Sequence, residues 1–181
     1  MLFAGLLLFI TVFFLFLGIC FLRMNEKNLN FWEKLPRNRT AGGITGLIAL
    51  LAFIPNVKPL FSPENNLYWL VPAAFVLAFL CWRYLDHLFA RATAGAVILL
   101  AHRMLAESFN ADLAGSSFFA IMCFAAGTYA ICTAAKPYWL RDSFRAMCRN
   151  KKWKWTGAAA AFLWSLSALI LLVQQAGRVI Q

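Results

Sequence analysis

Residues 2–22 read LFAGLLLFITVFFLFLGICFL, and residues 23–39 read RMNEKNLNFWEKLPRNR. The first stretch has no charge; the second carries Arg23, Lys27, Lys34, Arg37 and Arg39. A bilayer core of about 30 Å needs about 20 consecutive apolar residues to cross as a helix. The first stretch meets that length and reads as a transmembrane span. No Lys or Arg precedes it, and basic residues follow it directly. A cleaved leader has the reverse flank and a small-residue cleavage site. The span is therefore expected to be retained, with its N-terminus outside.

The same alternation runs through the rest of the chain. Hydrophobic residues make up 62% and charged residues 13% of it, against about a quarter charged in a soluble domain. No stretch is long and polar enough for a separate soluble domain. The sequence predicts one integral membrane domain over 1–181, with spans at about 2–22, 41–55, 67–82, 92–109, 113–135 and 156–173. The second is short and stops at Pro55. Its continuation through Asn56 to Leu60 reads as irregular chain or a shielded segment. The fold class expected is all-α, a polytopic bundle of six transmembrane helices in three hairpins.

Charge orients these spans. The net charge of +10 would suit nucleic acid, but the basic residues sit between apolar runs, as cytoplasmic loops do. Fourteen Lys and Arg fall after spans one, three and five, in 23–39, at Arg83 and Arg91, and from Lys136 to Lys154. Only Lys58 and Arg178 fall on the other side, with Arg103 inside a span. That split places both termini outside the cytoplasm, in a bacterial cytoplasmic (inner) membrane. Trp82, Trp139, Trp153 and Trp155 flank the basic segments as an interfacial belt. Anionic lipids are the expected partners of that face, a membrane protein is a further candidate partner, and nucleic acid is not expected.

The return helices begin alike: Thr40-Ala41-Gly42-Gly43, Thr93-Ala94-Gly95-Ala96, Thr156-Gly157-Ala158-Ala159. Each Thr could cap its helix. The small residues, with Gly42 and Gly46 in GxxxG spacing, would let the return helices pack at their inner ends. Common capping and an ancestral triple hairpin both fit. In the basic loop 137–155, a helix from Leu140 to Lys152 would put Leu140, Phe144 and Met147 on one face. Arg141, Arg145, Arg149 and Lys152 would occupy another. Such an amphipathic helix suits the cytoplasmic surface. It would anchor the loop or hold acidic lipid heads through those four residues.

The polar set in the fourth span singles it out. His102 and Arg103 lie roughly 14 Å above Thr93 at 1.5 Å per residue, near the bilayer middle, with Glu107 nearer the outer surface. Gly95, Leu99, His102, Arg103, Ala106, Glu107 and Asn110 share one side; Val97, Leu100, Met104 and Phe109 take the other. A charge at this depth costs several kcal/mol unless paired. Arg103 and Glu107 are spaced i, i+4 for pairing, and Asp112, Thr45 and Thr128 are further candidate partners. The stripe should face protein or a wet cavity. It either fixes helix packing or forms a site.

Recognisable catalytic sets are missing. Ser116 lies at the outer edge of its span, out of reach of His102. His87 lies at the cytoplasmic edge, about 20 Å along the chain from His102, too far for a shared haem. Glu107 and Asp112 are the only neighbouring acids in or beside the spans. The five cysteines are odd in number and form no C-x-x-C, so they read as small buried hydrophobes. No cofactor and no metal is expected. Two readings stay open. One is a non-enzymatic membrane subunit, or a protein handling a small solute or lipid, with a polar site on span four. The other is an intramembrane enzyme acting on a lipid or lipid-linked substrate, with His102 and Glu107 as acid and base and Arg103 holding an anionic head.

Overall fold

The computed structural model describes residues 2–57, 67–111 and 115–180, and the regular structure among them is entirely helical. Eight α-helices follow in order: α1 Leu2–Leu22, α2 Leu29–Lys34, α3 Arg39–Val57, α4 Leu70–Tyr84, α5 Leu88–Asn110, α6 Ser116–Ala135, α7 Tyr138–Arg149 and α8 Lys151–Ile180. Each apolar run read from the sequence overlaps one of these helices among the described residues. Among the described residues α1, α5, α6 and α8 are long and apolar enough to cross a membrane. These four helices point to a membrane protein. Arg39–Ile54 and Leu70–Tyr84 are apolar but shorter. At 1.5 Å per residue the 15 residues of α4 reach only about 22 Å.

The outward faces are apolar. Phe9, Val12 and Phe16 of α1, Phe75, Val76 and Phe79 of α4, and Ile121 and Phe124 of α6 are all exposed. Contiguous apolar surface on this scale is unusual in water and ordinary in lipid. The core is where α1, α5, α6 and α8 meet: Leu7, Ile10, Met104, Phe119, Cys123, Trp164, Ala168 and Leu171. Trp164 stacks on Phe14 with centroids 4.9 Å apart and meets the edge of Phe119 at 5.6 Å. Ser165 Oγ donates to the Thr11 carbonyl at 2.9 Å, tying α8 to α1 across 154 residues of sequence. The α3–α4 pair joins this bundle along α3, which packs on α5. In space the helices run α4, α3, α5, α6, α8, α1.

Several boundaries differ from the sequence reading. α3 continues past Pro55 to Val57; a proline near a helix C-terminus removes only one late hydrogen bond. Residues 58–60, Asn65, Asp112 and Leu113 lie outside the described residues, as does the Arg178 side chain. The Thr residues of the repeated starts do not cap. Asn38 Oδ1 accepts from Ala41 N at 3.1 Å and caps α3, so Thr40 is already in the helix. Thr93 and Thr156 sit inside α5 and α8, where their hydroxyls donate back to the Phe89 and Trp153 carbonyls. The expected Leu140–Lys152 helix breaks at Asn150, which is extended (φ −119°, ψ 118°). Its Oδ1 accepts from Lys152 N at 3.0 Å. Asparagine competes well for a helix start, so Lys152 opens α8 rather than closing α7.

Candidate functional site

Helix α5 carries the polar stripe and is turned differently from the expectation of an inward-facing set. Its buried side chains are Leu88, Ala90, Ala94, Met104 and Ser108. Met104, read as part of the apolar side, is in the core at 1% exposure. His102 is exposed, and Arg103 and Glu107 are half-buried. No ion pair joins Arg103 to Glu107; those among the described residues are Arg39–Asp86, Arg141–Asp142 and Arg145–Glu33. Side chains lean toward the helix N-terminus, so an Arg four residues before a Glu is the weaker orientation for such a pair. Thr45 and Thr128, two of the candidate partners, bond instead to the Ala41 and Phe124 carbonyls of their own helices. Ser108, which the sequence reading passed over, is buried on α5 with its hydroxyl unpartnered among the described residues.

The basic end of the bundle is more closely bonded than its charge count suggests. Arg145 Nε donates to Glu33 Oε1 at 2.6 Å, and Trp32 of α2 lies against Phe144 of α7 with centroids 5.5 Å apart. Tyr129 on α6 donates to Ser143 Oγ at 3.0 Å. So α7 is docked onto α2 and α6 as well as α8. The Arg145 hydrogen bond, followed by the charges of Arg145, Arg149 and Arg141, holds the Glu33 carboxyl below its usual range. Arg145 is pushed up in turn by that hydrogen bond. Arg141 is engaged by Asp142 at 3.2 Å. Of the four residues proposed for lipid heads, Arg149 and Lys152 are the exposed cations with no ion pair among the described residues.

Between α4 and α5 the chain turns through His87, which is left-handed at φ 56°, ψ 39°. A non-glycine residue rarely takes that conformation. Its Nδ1 is buried and unpartnered among the described residues. Burial first, then the charge of Arg37, pushes its pKa down; Arg141 and Arg91 add to this, and Asp86 opposes them. Three arginines thus gather around this turn from three different segments.

Beside it a groove of about 420 Å³ runs between α3, α4 and α5. Gly43, Gly46 and Phe53 line it from α3, Cys81 from α4, and Gly95 and Leu99 from α5. Arg91 is the single charged residue on its wall among the described residues. The sequence signal for this groove was present in the small residues at the starts of α3 and α5.

No family model matches this chain, and no curated protein or solved structure is significantly similar to it.

Proposed function

We propose that this protein is a non-enzymatic subunit of a membrane assembly. In this reading it crosses a bacterial cytoplasmic membrane six times, with both termini outside and the basic loops inside. The fourteen-to-two distribution of Lys and Arg supports that orientation, and α3 and α4 supply the two shorter spans. Anionic lipids at the cytoplasmic face fit the exposed Arg149 and Lys152.

The observation that carries the assembly reading is His102. It is exposed on α5, with half-buried Arg103 and Glu107 beside it, and residue spacing along the helix supports a position near the middle of the span. Polar and ionisable groups at that depth are costly toward lipid and normally face protein or water. The chain itself offers His102 no partner among the described residues. A membrane-embedded partner with polar side chains would satisfy the set, as interhelical hydrogen bonds do elsewhere in bilayers.

The enzyme reading draws less support. His102 and Glu107 are five residues apart and therefore turned by about 140° around α5, so they do not face one reacting atom together. The test is a photoreactive amino acid at Ala106, one turn from His102 and exposed, activated in native membranes. A protein adduct is expected. Adducts to lipid alone would overturn the assembly.

A further inference from the structure

We infer that the groove between α3, α4 and α5 is a binding site for one anionic phospholipid, its acyl chain in the groove and its phosphate at Arg91. This goes beyond the assembly reading and does not depend on it, because His102, Arg103 and Glu107 do not line the groove.

Dimensions support this assignment. The groove begins at Gly42 and Leu88, near the basic ends of α3 and α5, and reaches Phe53 and Leu99. Eleven residues from Leu88 to Leu99 or from Gly42 to Phe53 make about 16 Å of helix. That is about half of a 30 Å hydrocarbon core, the depth of one leaflet. Its volume of about 420 Å³ lies within the range of small-molecule pockets. The walls are smooth where an acyl chain would run, because four glycines line them; a Cβ at Gly95 would meet nothing within 4 Å.

Charge supports it independently. Arg91 is exposed at the basic end and makes no ion pair or hydrogen bond through its side chain among the described residues. Arg37 is likewise exposed, and both act on the His87 ring at the same turn. Arg39 is the exception, paired with Asp86 at 3.6 Å. Arg91, uncompensated on the wall of an apolar slot, with the charge of Arg37 reaching the same turn, matches a phosphate on an acyl chain. Basic pockets between spans on the cytoplasmic side commonly take such headgroups. A neutral lipid would fill the slot but leave the arginines without a counter-charge. A second copy of this chain would bring its own basic end against them.

The experiment is native mass spectrometry of the delipidated protein in mild detergent. It is titrated with phosphatidylglycerol or with phosphatidylcholine of identical acyl chains. Attraction by one arginine is worth about fivefold in affinity. The wild type should therefore retain the anionic lipid at least that much better. Arg91→Gln, an exposed change, should remove most of the preference while leaving the weaker binding of both lipids. Gly95→Leu places a side chain in open space within the groove and should lower retention of both. Equal retention of the two lipids by the wild type would overturn the assignment. So would anionic-lipid binding unchanged in both variants, or a dimer whose formation expels the lipid.

Discussion

A methyl group on Gly42 would lie 2.5 Å from the Phe89 nitrogen and 2.7 Å from the Leu88 carbonyl carbon, both backbone atoms at the start of α5. Neither can swing aside as a side-chain tip can. One turn on, a methyl on Gly46 would sit 3.6 Å from the Ala92 Cβ, an ordinary contact. Gly42→Ala should therefore force α3 off α5 and cost about 1–3 kcal/mol, the usual range for overpacking. Gly46→Ala should be neutral or stabilising by up to about 1 kcal/mol, from helix propensity alone. Thermal unfolding in detergent, followed by size-exclusion fluorescence, distinguishes them; equal losses would show that the close approach at Gly42 is not strict. In the sequence these two glycines look equivalent, since GxxxG spacing marks a small-residue face without saying which position touches backbone. The His102, Arg103 and Glu107 set has the same difficulty. Its residues and depth are legible from spacing, but the direction it faces depends on which neighbours α5 has. Met104 and Ser108 took the core side because α6 and α8 happen to meet there.

At the scale of elements, α7 is the clearest case of tertiary contacts deciding what a local pattern leaves open. Its amphipathic face is plain in the sequence, and the helix forms as Tyr138–Arg149. The short α2 was not singled out, although Leu29, Trp32 and Glu33 share a face at helical spacing. Trp32 meets Phe144 and Glu33 accepts from Arg145, so a helix expected to lie on lipid is also clamped to protein. The clamp should respond to acid. Glu33 is held below its usual value of 4.5, so the folded state favours its ionised form. Its contribution is complete above 4.5 and is lost as the pH falls through the lowered value. Hydrogen-exchange protection of α7 should hold down to about that pH and then drop ahead of α1 and α8. Glu33→Gln should show the lower protection already at neutral pH, with little further change on acidification. If protection in wild type and variant is the same at neutral pH, the Arg145 contact does not restrain α7. Because the pair is near the surface, high salt should weaken the wild-type effect.

For the whole molecule, the number and order of apolar helices are legible because each is a long run bounded by Lys, Arg, Pro or Gly. Their neighbours in space are not. The pairing of α1 with α8 joins the two ends of the chain through Ser165 and Thr11, and through Gly18, whose Cβ would come within 3.0 Å of the Phe162 ring. Nothing local encodes that. Charge counts give the side of each loop but never which helices touch, so the sequence suggested three equal hairpins. The structure gives a four-helix core with α3 and α4 attached along α5. This arrangement makes topology worth testing at two distant points. Asn65 lies between the second and third apolar runs, outside the described residues, and Asn150 lies between α7 and α8. Six spans with outside termini put three crossings between these positions, and so put them on opposite sides. Each is replaced singly by cysteine, with the native protein as blank; its own five thiols are buried or half-buried. An impermeant maleimide should label Asn65→Cys in intact cells and Asn150→Cys only after lysis. The reverse pattern would invert the orientation while keeping the span count. Labelling of both from the same side would mean an even number of crossings between them, and α4, the short helix between the two positions, would then fail to cross.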